Sequence, residues 1–226
     1  MGGQSNARGP LGFSSYETLL STPDAFSAWP TFAAWCARYR GADVAVVNTR
    51  EGGSSQTWLS NQSRAEPYRH GSWDERGTLF DRSVAMLDST LATRDLQLAG
   101  VIWDQGLADA NAIDKGALTR SQYERALVRM IARYRERYGA TPFFIIRTGR
   151  LTECLDNPYC TDGDTPGLRA VRAAQVRVAE RDPLTHVVYL GTVNFPARGL
   201  MQDNVHYSIA GLQLVGRTAA RYICSG

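Results

Sequence analysis

The sequence predicts a three-layer α/β/α sandwich, in which helices cover both faces of a parallel β-sheet. Short apolar runs alternate with longer amphipathic segments along the whole chain, and this order is typical of α/β domains. The short runs are rich in Val, Ile and Phe and do not alternate with polar residues, as expected for strands buried on both faces of a parallel sheet. The predicted strands are Asp43–Asn48, Leu98–Trp103, Pro142–Arg147 and His186–Leu190.

Helices are predicted between these strands and after the last one. The clearest covers Gln122–Tyr138, where apolar residues fall on one face and arginines on the other. Ser121 followed by Glu124 predicts a capping box at its start. The other predicted helices are Ala25–Tyr39, Glu75–Ala92, Leu168–Arg181 and Ile209–Cys224.

We expect one domain, residues 1–226. The 226 residues contain no repeat, low-complexity tract or Pro/Gly-rich linker that would mark a boundary. The net charge is only +3, with arginines scattered among acidic residues, which argues against a nucleic-acid partner. No apolar run approaches the length of a membrane span, so no membrane partner is expected. The oligomeric state is not predicted.

The four cysteines leave the redox compartment open. No Cys-x-x-Cys pair occurs and the histidines lie far from any cysteine, so no metal site is predicted. Cys154 and Cys160 bracket a short loop and could close a local disulfide, whereas Cys36 and Cys224 could meet only through the fold. Four reduced thiols are an equal alternative. No signal peptide opens the chain, but the first motif lies so close to its start that this says little; a secreted or extracellular location is preferred.

Four short motifs carry the candidate chemistry. The last of them directly precedes a predicted helix that Ser208 can cap. Because ligand sites of open parallel sheets lie beyond the carboxyl ends of the strands, motifs just after strands are expected to meet. The motifs are Gly3-Gln4-Ser5-Asn6, Gly52-Gly53-Ser54, Gln105-Gly106 and Asp203-Asn204-Val205-His206.

Together these motifs contain every part that acyl transfer requires. Ser5, in a glycine-flanked turn, is the candidate nucleophile, His206 the base and Asp203 the group that orients the base. The backbone N–H groups of Ser5 and Gly53 and the side-chain amide of Gln105 are candidate oxyanion donors. Each piece alone is a common turn or capping feature, so the combination carries the prediction.

The order and spacing of the four motifs resemble the SGNH hydrolase superfamily. Within it, they are most similar to the sialate O-acetylesterase-like branch that includes carbohydrate esterase family six. The resemblance spans essentially the whole chain and extends to Asp109 in the third motif and to Arg172-Ala173-Ala174-Gln175.

This resemblance implies a flavodoxin-like sandwich, no metal or organic cofactor, and hydrolysis of acetyl esters on carbohydrate. It implies the same triad and the same oxyanion donors as the residue chemistry. Neighbouring polar and aromatic residues become candidate contacts to the acetylated carbohydrate. These are Gln4, Asn6, Ser54, Trp58 and Asp109. Trp73 is an equal candidate for sugar stacking or packing, and Trp103 is expected to be buried.

The sequence departs from the family pattern in two places. The family usually has His-Gln-Gly-Glu in its third motif, where this chain has Asp104-Gln105-Gly106-Leu107, so substrate contacts are expected to differ. The family's nucleophile also follows a first strand, whereas only Met1–Gln4 precede Ser5 here. Either that strand is missing from this sequence, or the sheet has one strand fewer, or its edge is completed in another way.

Three functions remain in competition. The leading hypothesis is a serine carbohydrate O-acetylesterase. An esterase or thioesterase for small lipid-like acyl groups would use the same constellation. A long apolar cleft would favour this alternative, and the sequence shows no obvious apolar lid. A carbohydrate-binding module on the same fold would have no use for a general base. Neither the sugar, the acetyl position nor an acyl acceptor other than water can be read from the sequence.

Overall fold

The computed structural model describes residues 2–3, 27–66, 68–154 and 158–226. In these ranges four parallel strands form one sheet in the order β1–β2–β3–β4. The predicted α/β class with a parallel sheet is therefore confirmed. The strands are β1 Gly2–Gly3, β2 Val101–Asp104, β3 Phe143–Ile146 and β4 Thr185–Tyr189.

Helices cover both faces of this sheet. No helix in the described ranges has the length and apolar character needed to cross a membrane. The helices are α1 Trp29–Arg40, α2 Trp58–Gln62, α3 Leu79–Thr93, α4 Leu107–Asp114, α5 Arg120–Tyr138, α6 Pro166–Arg181 and α7 Ile209–Cys224.

The central strands divide two apolar cores. Successive side chains of a strand point to opposite faces, so Val101 and Trp103 enter the core under α3, α5 and α6. Ile102 enters the core under α1 and α7. Every residue of β2 and β3 is buried. Burial on both faces explains why these strands read as continuous apolar runs in the sequence.

Both cysteine pairs are joined as disulfides. Cys36 on α1 and Cys224 on α7 have Cα atoms 5.3 Å apart, so the second core is closed by a covalent link between its two helices. The local pair, Cys154 and Cys160, has a Cα–Cα distance of 5.4 Å. The structure thus favours the disulfide alternative over four reduced thiols.

The predicted strand at Asp43–Asn48 is wrong. Residues 43–50 form no strand with the described residues. Val44 and Val46 are nevertheless partly buried and pack against the core under α1 and α7. An apolar run predicts burial, but a strand also requires a continuous ladder of backbone hydrogen bonds with a neighbour.

The capping box of α5 lies two residues earlier than predicted. Thr119, not Ser121, is the N-cap: its hydroxyl accepts from the backbone N–H of Gln122, and the Gln122 side chain accepts from the N–H of Thr119. Thr119 has extended backbone angles, as an N-cap requires, whereas Ser121 is already helical. Two Ser/Thr-x-x-Glu/Gln patterns overlap in this sequence, and only the backbone conformation distinguishes them.

Candidate active site

The carboxyl ends of β2 and β3 meet the loop before α7 in one cleft. This arrangement brings the third motif beside the fourth, as expected for residues that follow parallel strands. Asp104 and Gln105 lie at its β2 side, and the residues after β3 form the opposite wall. The described lining residues are Asp104, Gln105, Gly106, Leu107, Thr148, Gly149, Arg150, Leu151, Val205 and Tyr207.

Asp203 and His206 form a hydrogen-bonded pair on the loop before α7. The Nδ1 atom of His206 lies 2.8 Å from Oδ2 of Asp203. The other carboxylate oxygen accepts from the backbone N–H groups of Val205 and His206, at 2.8 and 2.7 Å. Burial opposes ionisation of Asp203, but these hydrogen bonds outweigh it and lower its pKa. An ionised Asp203 accepts from Nδ1–H, and this tautomer leaves Nε2 of His206 able to accept a proton.

Two neighbouring segments hold this loop in place. The backbone N–H of Thr152 donates to the carbonyl oxygen of Asn204 at 3.1 Å, and the N–H of Glu153 donates to the Asn204 side chain at 2.8 Å. Ser208 caps α7 as predicted, since its hydroxyl accepts from the N–H of Gly211. The histidine loop is therefore fixed between the segment after β3 and the start of a helix.

On the opposite side of the cleft, Asp109 anchors Gln105. Asp109 is fully buried. Its Oδ2 accepts from Nε2 of Gln105 at 2.6 Å and from the backbone N–H of Gln56 at 2.7 Å. Its Oδ1 accepts from the backbone N–H and the hydroxyl of Thr57, at 3.1 and 3.0 Å. One carboxylate thus ties the second motif's loop to the third motif.

This anchoring determines how the Gln105 amide is oriented. Burial raises the pKa of Asp109 to about 6, although its hydrogen bonds oppose the rise, so the carboxylate is ionised at neutral pH. Of the two ends of the Gln105 amide, only the N–H₂ group can donate to a carboxylate, so Nε2 of Gln105 must face Asp109. Its second contact, to the carbonyl oxygen of Ser54, is long at 3.5 Å. This second hydrogen bond is therefore weak.

The Gly53 loop requires glycine for two reasons. Gly53 has a φ of +71°, and a Cβ atom built there would lie 2.6 Å from the imidazole of His70. Arg64 donates to the carbonyl oxygen of Gly53. Next along the chain, the Ser54 hydroxyl accepts from Nε1 of the buried Trp73 at 3.0 Å. The predicted oxyanion loop is therefore fixed from several sides.

The segment Arg172–Gln175 holds the carboxyl ends of β2 and β3 together from α6. Nε2 of Gln175 donates to the backbone carbonyl of Gln105 at 2.8 Å, while its Oε1 accepts from the N–H of Thr148 at 3.1 Å. Arg172 donates to the carbonyl oxygen of Gly149 at 3.1 Å. These contacts give a physical role to a segment that the sequence marked only by resemblance.

The remaining predicted contact residues differ in burial and in their partners within the described structure. Ser54 and Asp109 are fully buried and hydrogen-bonded within the protein, so neither side chain is exposed to a substrate. Trp73 and Trp103 are also buried and pack edge to face, with ring centroids 4.9 Å apart. Trp58 is half-buried, with the guanidinium of Arg76 5.1 Å from its ring centroid. It is the one of the three tryptophans that keeps an accessible face.

The predicted nucleophile lies outside the described residues, as do Gln4 and Asn6. The strand just before Ser5 is described: Gly3 of β1 lies opposite Asp104 of β2. The described part of the N-terminal edge is thus a two-residue parallel strand that pairs with β2 and ends at Gly3, the first residue of the first motif.

Sequence reasoning did not single out Gln56, Thr57 or Tyr207. Gln56 and Thr57 lie two and three residues after the second motif, and that position was the available signal for their role. Tyr207 follows His206 and lines the cleft from a buried position. Within the described ranges, no group of three or more His, Cys, Asp or Glu side chains is placed to hold a metal ion.

The sequence matches, over residues 5–225, the profile of a protein family described as carbohydrate esterase, sialic acid-specific acetylesterase. The chain belongs to this family. It is therefore a carboxylic ester hydrolase, and the resemblance drawn from the four motifs is confirmed. No curated protein matches the esterase in sequence.

Solved structures share its fold at low sequence identity. A protein from Arabidopsis thaliana is 16% identical with a TM-score of 0.61, over 88% of the esterase and 69% of the plant chain. A carbohydrate acetylesterase from Xanthomonas citri is 17% identical with a TM-score of 0.61, over 99% of the esterase and 55% of that chain. A lipase/acylhydrolase from Enterococcus faecalis is 17% identical with a TM-score of 0.51, over 88% of the esterase and 87% of that chain. The esterase thus spans about half the length of the Xanthomonas protein.

Proposed function

We propose that the esterase removes O-acetyl groups from carbohydrate, using Ser5 as nucleophile, His206 as base and Asp203 to orient the base. The observation that carries this proposal is the hydrogen-bonded Asp203–His206 pair, on a loop that shares one cleft with Gln105. A base already oriented by a carboxylate needs only a hydroxyl within reach of Nε2 to complete a triad.

Covalent geometry restricts where that hydroxyl can be. Ser5 follows Gly3 by two residues, and consecutive Cα atoms are about 3.8 Å apart, so the Cα of Ser5 lies within about 7.6 Å of that of Gly3. Gly3 is opposite Asp104, the residue before Gln105. This short covalent connection to a strand that pairs with β2 supports the assignment of Ser5 as nucleophile.

The proposed reaction runs through an acetyl-enzyme. Nε2 of His206 accepts the proton of Ser5 Oγ as this oxygen attacks the acetyl carbonyl, and Asp203 stabilises the imidazolium that forms. As the tetrahedral intermediate collapses, His206 gives the proton to the sugar oxygen that leaves. Water, deprotonated by His206, then attacks the acetyl-enzyme and releases acetate, which restores the Ser5 hydroxyl.

The oxyanion would be bound by the N–H groups of Ser5 and Gly53 and by Nε2 of Gln105. Such donors act because they are already in place when the charge develops. Asp109 holds the Gln105 amide with its nitrogen in a defined orientation. Arg64 donates to the carbonyl oxygen of Gly53 and so holds the Gly53 backbone in place. We therefore assign Asp109 a positioning role in place of the substrate contact expected from the sequence.

A polar substrate fits the cleft better than a long acyl chain. Beside Leu107, Leu151 and Val205, its described walls carry the polar side chains of Asp104, Gln105, Thr148 and Arg150. The hydroxyl groups of a sugar could hydrogen-bond to these polar side chains, whereas a long acyl chain could not. Family membership also favours an acetylated sugar, and the structurally similar Xanthomonas protein is a carbohydrate acetylesterase. The lipid-like substrate therefore remains the weaker alternative.

The decisive experiment compares Ser5→Ala with the wild type on a panel of acetylated glycans and on p-nitrophenyl acetate. We expect acetate release to fall by about 10⁴- to 10⁶-fold in the variant, and a serine-directed phosphonate to label Ser5 of the wild type only. Ser89→Ala, on the exposed side of α3, is the matched control and should keep full activity. Near-native turnover by Ser5→Ala would refute the triad, and faster cleavage of octanoyl than acetyl esters would favour the lipid-like substrate.

A further inference from the structure

Asp104 is a buried carboxyl group that the proposed triad does not use. It is the last residue of β2, directly precedes Gln105 and lines the cleft, yet it is only 6% exposed. Family members usually have histidine at this position of the third motif. The properties of Asp104 therefore belong to this chain and cannot be carried over from the family pattern.

The charged and titratable groups around Asp104 have other partners. The hydroxyl of Tyr207 hydrogen-bonds to the backbone of Gly149 and the side chain of Thr192, while burial and the nearby Asp104 raise its pKa. Arg150, on the opposite wall, pairs with Asp164, with 3.5 Å between Nε and Oδ2. On the histidine loop, Asp203 and His206 pair with each other. No described residue donates a hydrogen bond to the carboxyl of Asp104.

The ionised form of this carboxyl is therefore poorly stabilised. Burial raises the pKa of Asp104 to about 7, with no hydrogen bond from the described residues to oppose the rise. A protonated carboxyl has an O–H group, which can donate where a carboxylate can only accept. In the cleft, this donor lies next to the residue proposed to bind the oxyanion.

We propose that Asp104 contacts the substrate as a protonated hydrogen-bond donor, so that the esterase is active with this carboxyl neutral. This inference rests on the proposed function of the cleft. Loss of the proton would remove the donor and place a negative charge beside the oxyanion developing at Gln105. Activity should therefore fall as pH rises through the ionisation of Asp104.

The pH profile of kcat/KM for p-nitrophenyl acetate, from pH 5 to 9, tests this proposal. We expect the wild type to rise and then fall, with the falling limb near pH 7. Asp104→Asn keeps the shape and an N–H donor but cannot ionise, so its falling limb should be absent. Asp104→Leu has no donor, and its kcat/KM at pH 6 should be lower by about threefold to tenfold. Asp95→Asn, an exposed carboxyl in the turn after α3, should keep the wild-type profile.

Two results would overturn the proposal: a wild-type rate that does not fall above pH 7, or a falling limb that persists in Asp104→Asn. Failure of the triad is read from a different variant, since it would show as activity retained by Ser5→Ala. The two proposals can thus fail separately.

A second measurement does not depend on activity. Between the unfolded pKa of about 3.9 and the folded pKa of about 7, folded wild type holds a proton that the unfolded chain has lost. Its free energy of unfolding therefore falls as pH rises across this window, and that of Asp104→Asn lacks this contribution. The Tm of Asp104→Asn relative to the wild type should increase from pH 4 to pH 8. A constant difference would show that Asp104 is ionised throughout and would overturn the proposal.

Discussion

The two sides of the cleft are built in opposite ways. On the Gln105 side, Asp109 is fully buried and accepts four hydrogen bonds from three residues. On the histidine side, the side chains of Asp203 and His206 are 49% and 28% exposed. Oxyanion donors stabilise charge only if they are held in position beforehand, whereas a base must exchange protons with substrate and water.

Because of this difference, substitutions on the two sides should affect stability and activity differently. Changes on the histidine side should impair turnover with little effect on folding, because the side chains are exposed. Changes on the Gln105 side should affect both, because each buried donor or acceptor that loses its partner costs free energy of unfolding.

Of the three variants that test this comparison, Asp203→Asn is expected to lose the most activity. The asparagine can still accept the two backbone N–H groups at one atom, but its amide faces Nδ1 and favours the wrong histidine tautomer. We expect kcat to fall by up to about 10⁴-fold, and by less than in Ser5→Ala if a backbone carbonyl partly orients the ring. Thermal unfolding should be nearly unchanged. A kcat within tenfold of the wild type together with a much lower Tm would reverse the comparison.

Gln105→Ala is expected to have the next largest effect. Loss of one oxyanion donor should lower kcat by about 10²- to 10³-fold with KM little changed. Gln175→Ala is the matched control, because Gln175 on α6 donates to the backbone carbonyl of Gln105 and not to its side chain. That control should lower Tm without a comparable loss of kcat. Equal losses of kcat in the two variants would mean that Gln105 acts only through packing.

Asp109→Asn should have the smallest effect on activity and the clearest effect on stability. Each carboxylate oxygen of Asp109 accepts two hydrogen bonds, and asparagine has one oxygen and one N–H₂ group, so donors lose their acceptor in either orientation. We expect the free energy of unfolding to fall by about 1–3 kcal/mol for each group left unpaired, measured by chemical denaturation.

Asp114→Asn is the matched control for that measurement. Asp114 accepts one hydrogen bond, from the N–H of Gly167 at 2.7 Å, and asparagine can keep it. The free energy of unfolding of Asp114→Asn should therefore change by less than that of Asp109→Asn. Equal losses in the two variants would contradict the view that Asp109 is the main anchor of the Gln105 side.

The helices show how far local pattern predicts structure. Ile209–Cys224 was predicted with both ends correct, because its apolar stripe and the cap at Ser208 are local features. The helix Leu107–Asp114 was not predicted, since its short sequence has no clear stripe. At Asp43–Asn48, burial of valines was mistaken for a strand, because the sequence does not show where a backbone ladder forms.

The sequence by itself determined the fold class, the family and the four motifs, because each depends on residues close together or on their order along the chain. It also gave the Asp203–His206 pair, whose members are three residues apart. The tertiary structure decided what surrounds those motifs. Gln56 lies 53 positions from Asp109, and Cys36 lies 188 from Cys224, so no local pattern pairs them. Whether a buried carboxyl finds donors, as Asp109 does, or none among the described residues, as for Asp104, depends on chain segments that only folding brings together.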